Sequence, residues 1–320
     1  MTSDASPNPD AVDMGTSELP GRNVLDISTI RSLSRRSNVQ GFIRFGAHFG
    51  LIFLTGLLVW NSLPNWYLLV PASILYGFTL VTMFAAMHEC VHRTAFASPI
   101  WNEVFGWVAG LLSFYNFTYY RHYHTWHHRY TQDPERDPEL MTPKPRNLFE
   151  YFVEISAVTF WLMRPILFAR LALGQTQAYP FVPESARRKV AISAGIQLAI
   201  YVAGIVAISV GFMQPLYFFF LPALLAQPLL RAIVLAEHTG CSLDENGLTN
   251  TRTTLTSFPI RLLMWNMPYH TEHHLYPSIP FYQLPKAHVE IKDRLVHLSP
   301  SYLAANRTII ETLVRPKTGG

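Results

Sequence analysis

The chain has 320 residues, of which 49% are hydrophobic and only 14% charged, against about a quarter charged in ordinary globular domains. That balance excludes a water-soluble globule of ordinary design. The net charge of +4 would suit nucleic acid in a soluble protein, but in so apolar a chain it must first be read against membrane topology, and nucleic acid is not expected as a partner.

Residues 1–38 are rich in Ser, Pro, Asn and Asp, carry no apolar run and lack the build of a signal peptide, so they read as a disordered cytoplasmic tail ahead of a domain spanning 39–298. Two runs long enough to cross a bilayer follow, 41–60 and 66–87. Two more come later, 190–212 and 215–236. At about 1.5 Å per residue each covers about 30 to 35 Å, the hydrocarbon thickness. Pro71, Pro222 and Pro228 interrupt them, which membrane helices tolerate, and Arg231 is placed to snorkel toward headgroups. Between the two pairs lie apolar stretches at 99–119 and 149–173. Trp101, Trp107, Tyr115 and Tyr119 in the first, and Glu150, Glu154, Arg164 and Arg170 in the second, suit interfacial or re-entrant helices. Residues 299–320 read as a C-terminal cytoplasmic tail.

The links NSLPN and MQ within each pair carry no Lys or Arg, whereas residues 93–189 hold eleven. The positive-inside rule therefore predicts two membrane-crossing hairpins, with both termini and the long middle segment in the cytoplasm. Cys90 and Cys241 then face a reducing compartment and read as free structural thiols.

Nine of the thirteen histidines gather at the predicted cytoplasmic face: His88 and His92 in HECVH, His124, His127 and His128 in HTWHH, His238 in AEHTG, and His270, His273 and His274 in HTEHH. Residues three and four apart share a helix face, and neutral imidazole is a good ligand for iron, zinc or copper. Nine ligands exceed what one ion takes and suit two. His48 lies inside a span, His288 and His297 lie near the C-terminus, and His122 falls on the wrong helical face, so none of these four is expected to bind metal. A histidine-rich metal transporter is the remote alternative, disfavoured because the spans offer almost no polar ligands.

The order HECVH, HTWHH, HTEHH resembles the membrane fatty acid desaturase and hydroxylase superfamily, whose three boxes run HX3-4H, HX2-3HH and HX2HH. The resemblance covers residues 40–295. It implies an all-α bundle of four transmembrane helices, with a cytoplasmic cap holding a di-iron centre. It also implies that the eight box histidines bind the iron and are catalytic, and that His238 joins them. O2 would be the co-substrate, and removal of two hydrogens from an acyl-lipid CH2–CH2 unit would leave a double bond. Hydroxylation is the alternative outcome of the same chemistry. The three-residue gap in HECVH departs from the acyl-CoA Δ9 group, and the absence of HPGG and of Gln at position 270 departs from front-end desaturases. The tracts AEHTGC, NTRTT and WNMPYHTEHH are similar to bacterial acyl-lipid desaturases and to lipid or carotenoid hydroxylases.

Ligating imidazoles need the second ring nitrogen held. Glu89, Asp133, Asp137 and Glu272 are near enough in sequence to do so, and Asn250 is a candidate to reach the metal through water. Arg121, Arg129 and Arg252 are candidates to meet a phosphate or an acidic electron donor. No four-cysteine cluster or GxGxxG fingerprint occurs, so electrons are expected from a separate ferredoxin or cytochrome.

Overall fold

The computed structural model describes residues 23–314. Most of the expected N-terminal tail, residues 1–22, lies outside the described residues. The helices, in chain order, are α1 (Ile27–Leu33), α2 (Asn38–Ser62), α3 (Trp66–Val81), α4 (Met83–Val91), α5 (Pro99–Leu112), α6 (Phe117–Arg129), α7 (Leu148–Ile155), α8 (Val158–Ala172), α9 (Glu184–Ser209), α10 (Leu221–His238), α11 (Phe258–Leu263), α12 (His270–Leu275), α13 (Leu284–Ile291) and α14 (Tyr302–Val314). One minimal parallel pairing, of Thr253–Thr254 with Leu298–Ser299, interrupts the all-helical pattern.

Four helical segments are long and apolar enough to cross a membrane: Asn38–Ser62, Trp66–Val91, Glu184–Ser209 and Leu216–His238. They coincide with the four runs expected from sequence. In the first and third, only 22% of the most apolar window is buried in the protein. Residues such as Phe53, Leu54, Ile196 and Ile205 point outward, an arrangement that water would penalise and that lipid would not. The second span is α3 continued by α4, with a break at Thr82, whose hydroxyl donates to the Phe78 carbonyl. The fourth begins as a π-helical turn, Leu216–Phe220, and runs into α10.

The expected interfacial stretches resolve differently. α5 has 14 residues, about 21 Å of rise, too short to cross alone. Residues 149–173 form two helices, α7 and α8, meeting at 57° around Ala157 with φ at 61°. Arg231 does not reach outward to headgroups: it forms an ion pair with Glu154 of α7, tying the fourth span to the bent pair.

Both segments expected to be tails carry ordered structure where described. Leu25 donates its N–H to the Tyr276 hydroxyl at 2.8 Å, and Leu33 of α1 is buried with Leu275 and Tyr276. At the other end, Ala305 and Ile309 of α14 pack on Tyr151 and Leu235. Asn306 of that helix donates to the Ala232 carbonyl at 3.0 Å. Apolar residues at helical spacing in both segments have a core to join, which low local hydrophobicity conceals.

The bundle is held close where side chains are smallest. A Cβ on Gly77 of α3 would lie 1.9 Å from the Pro222 carbonyl oxygen of α10, so these two backbones touch. Gly77 therefore serves helix packing and does not open a slot. Asn116 caps α6 by accepting from Tyr119 N–H at 2.9 Å. Its amide group also donates to Ser193 and Gln197 of α9, both at 3.1 Å. That link fixes the second histidine box against the third span.

Candidate metal centre

Four elements deliver the nine histidines. The second span ends with His88 and, at its C-cap, His92. α6 carries His124, His127 and His128, α10 ends on His238, and α12 carries His270, His273 and His274. The approach to α12 passes through Trp265 and Asn266 at φ 51° and 58°, a left-handed step that costs about 1 kcal/mol or more for so bulky a residue. Trp265 is held there by donating to His48 Nδ1 at 3.1 Å.

The nine rings sort into two adjoining groups. His88, His92, His124, His128 and His273 place one ring nitrogen each within 4.8 Å of all the others, and His127, His238 and His274 do the same. His270 sides with the second group, its Nε2 lying 3.1 Å from Nε2 of both His238 and His274. The groups share a wall where His128 stacks on His274 at 4.1 Å. His124, His127 and His128 thus do not serve one site, as a shared helix face would have it. At about 100° per residue, positions four apart differ by about 40°, whereas adjacent ones diverge by about 100°. α6 therefore sends His124 and His128 to the first group and His127 to the second. α12 reverses the pattern, sending His270 and His274 to the second and His273 to the first.

The donor set fits two metal ions. Nε2 of His88, His92 and His127 is buried with no hydrogen-bond partner among the described residues, a costly state unless a cation accepts the lone pair. Nε2 of His128 sits 2.9 Å from that of His124 and 3.1 Å from that of His273. Nitrogens bound about 2.1 Å from one ion at right angles lie about 3.0 Å apart. Burial, followed by the neighbouring rings, holds His124, His128 and His274 well below the ordinary imidazole range, so they are neutral and free to donate a lone pair to a metal. Burial pulls His127 down too, but Glu139 and Asp137 outweigh it and set this ring above the ordinary value.

The outward ring nitrogens of His127 and His238 are anchored, whereas Nδ1 of His128 and of His270 is buried without a hydrogen-bond partner among the described residues. His127 Nδ1 meets Asp137 at 2.9 Å, as expected of that carboxylate. Asp137 also accepts from Gln132 N–H at 2.7 Å, and the Gln132 side chain donates to the His238 carbonyl, also at 2.7 Å. His238 Nδ1 faces the Asn250 carbonyl at 3.1 Å, so Asn250 acts here through its backbone. Its side-chain amide is engaged with carbonyls of Thr131 and Asp244.

Three other expected partners touch no box histidine. Glu89 accepts from Phe281 N–H at 2.9 Å. Glu272 joins Thr253 to His288. Asp133 accepts from Arg136 within its own turn. On a helix, Glu272 is next to His273 and two residues from His270 and His274, spacings that do not share a face with them. Arg252 is buried and donates to the carbonyls of Ala236 and Thr239, closing the end of α10. Arg121 pairs with Glu103 at 2.6 Å, and Arg129 lies over the Tyr130 ring. His48 is clamped between Thr79 and Trp265, and His122 and His297 fall outside both groups.

Sequence reading misses four neighbours. Tyr120 meets His124 Nδ1 at 3.3 Å and Thr131 meets His274 Nδ1 at 3.2 Å. Glu139 lies 3.7 Å from His127 Nε2 and Glu237 lies 3.5 Å from His270 Nε2. Only Tyr120, four residues before His124, had a helical-spacing signal. Replacing Asp137 by Asn should leave the fold intact and weaken metal binding by about 10- to 100-fold, read by Co(II) titration of the purified protein. Unchanged affinity would show that this anchor contributes nothing.

With the box geometry in place, comparison with known proteins becomes informative. The sequence profile described as "Fatty acid desaturase" matches residues 64–305, a region containing every histidine of both groups. The chain belongs to the fatty acid desaturase family. It is 29% identical over 72% of its length, and 71% of the relative's, to the sn-1 oleoyl-lipid 12-desaturase of Picosynechococcus. It is 26% identical to the dihydrorhizobitoxine desaturase of Bradyrhizobium elkanii, covering 79% of this chain and 75% of that one. A sphingolipid delta(4)-desaturase of Drosophila melanogaster is 23% identical over 83% of this chain and 79% of its own.

In this desaturase a cavity lies beside the site, lined by aromatic and aliphatic residues and by the charged side chains of Glu139, Lys144, Arg164 and Arg170. It measures about 360 Å³ and runs from His238 and Thr239 along Phe84, Tyr115, Tyr119, Phe160 and Leu167. That size falls within the range of small-molecule sites, about 300 to 1,000 Å³.

Proposed function

We propose that this desaturase is a di-iron, O2-dependent enzyme that introduces a double bond into the acyl chain of a membrane lipid. The observation that carries this reading is the position of His238. It belongs to the second histidine group and also lines the cavity, so a chain lying there would pass beside the candidate metal ligands. Iron bound by the nine imidazoles would supply O2 activation and hydrogen removal from an unactivated CH2.

The chain's own residues supply the rest. Asp137 and the Asn250 carbonyl fix the rings of His127 and His238 so that Nε2 faces inward. Tyr115, Tyr119, Tyr120 and Phe160 line the slot for the acyl chain, alongside Lys144, Arg164 and Arg170. The four spans anchor the protein in the lipid that holds its substrate. The eleven basic residues of 93–189 support a topology of two hairpins, with both termini and the metal centre on the cytoplasmic side. A separate ferredoxin or cytochrome supplies electrons there.

Lipid profiling of cells expressing the intact chain, compared with His127→Ala, tests the reading. New double bonds in acyl chains are expected with the intact chain only. A new hydroxyl in their place would select the hydroxylase chemistry of the same superfamily, and an unchanged profile in every lipid class would sink the enzymatic reading.

A further inference from the structure

Nine histidines do not divide equally between two ions. The first group has five imidazoles, and the second has four once His270 joins His127, His238 and His274. The second group also has a carboxylate at hand. Glu237 precedes His238 at the end of α10, its side chain is only 7% exposed, and its Oε2 lies 3.5 Å from His270 Nε2. Its Oε1 is buried without a hydrogen-bond partner among the described residues.

A buried carboxylate left in that state is strongly unfavourable unless a positive charge compensates it. The basic groups that act on Glu237 do so through space: Lys144 from the cavity wall, and Arg231, which is already engaged with Glu154. Glu139 adds a second acid on the same side, 3.7 Å from His127 Nε2. Glu237 Oε2 thus lies beside His270 Nε2, which itself neighbours Nε2 of His238 and of His274, and a divalent cation held by these rings has the carboxylate within reach.

We propose that Glu237 is the fifth ligand of the second metal ion, so that the two metal sites are chemically unequal. This rests on the two-metal reading given above. The first ion is held by five neutral imidazoles and keeps its full charge, whereas a carboxylate removes one unit from the second. The two ions then differ in affinity and in electronic environment before any substrate arrives. Carboxylate is also a harder ligand than imidazole, so the second site would favour the harder metals more than the first does.

The test uses the full-length protein purified without metal in detergent, titrated with Co(II) alone and followed by metal content and visible absorption. The unsubstituted protein is expected to take two Co(II) per chain. Glu237→Gln, which keeps the shape and removes the charge, should take the first as before and bind the second at least about 10-fold more weakly, with the bands of one site altered. If Glu237→Gln binds both ions with unchanged affinity and spectrum, the ligand assignment is overturned while the two-metal reading stands. If the unsubstituted protein binds fewer than two, the two-metal reading falls and this proposal with it. Should Glu237→Gln fail to fold, Glu237→Asp is titrated in the same way: weakened binding of the second ion with the first unchanged supports the assignment, and two unchanged affinities overturn it.

Discussion

His128→Ala should abolish double-bond formation and release at least one metal ion while leaving the four-helix bundle assembled. The reason is position. Nε2 of His128 lies 2.9 Å from His124 Nε2 and 3.1 Å from His273 Nε2, and the ring stacks on His274 of the second group at 4.1 Å. Its loss removes a ligand from one site and the shared wall from the other. Removing a residue that merely supports a ligand weakens a metal site by about 10- to 100-fold, so loss of a ligand should cost more than that. The bundle should survive because, among the described residues, the rings that His128 meets are all histidines of the two groups. Metal content by elemental analysis, alongside size-exclusion behaviour and acyl-chain profiling, checks all three parts. Wild-type metal content in His128→Ala would refute the partition of the histidines into two groups.

Gly77→Ala should destabilise the fold itself. The added methyl would lie 1.9 Å from the Pro222 carbonyl oxygen and 2.9 Å from Ala226 Cβ, and two helix backbones have to separate to make room. Overpacking a well-filled core costs about 1 to 3 kcal/mol, and a clash against backbone belongs at the upper end of that range. Gly50→Ala makes a clean comparison, because nothing lies within 4 Å of a Cβ there. Thermal unfolding in detergent should show Gly77→Ala melting well below the parent and Gly50→Ala beside it. Equal melting of the two variants would mean that α3 and α10 do not approach as described.

Much of this fold is legible in the sequence because a bilayer imposes length and composition on what crosses it. The runs at 41–60, 66–87, 190–212 and 215–236 need no tertiary knowledge to be seen, and the histidine boxes stand out against so apolar a background. What is not legible depends on contacts between distant segments. Leu25 and Leu33 near one end, and Ala305 and Ile309 near the other, look like parts of polar tails until Tyr276 and Tyr151 are placed beside them. Arg231 reads as a snorkelling side chain because Glu154, 77 residues earlier, cannot be known to face it. The division of the histidines is a mixed case. The angular divergence of His127 from His128 follows from helix geometry alone, but which group each joins depends on where α10 and α12 arrive. Glu139 and Glu237 carry no spacing signal and become notable only once the rings surround them.

The reciprocal division of α6 and α12 between the two groups also sets rules for change in chain length. One residue inserted between His124 and His127 would turn the rest of the box by about 100°, swinging His127 toward the direction that His128 takes and His128 away from both groups. The stretch between the helical turn ending at Met141 and the start of α7 at Leu148 carries none of these ligands, and loop closure grows costlier only slowly with length. A change of length there would leave both histidine groups in place, while one within HTWHH or HTEHH would dismantle them.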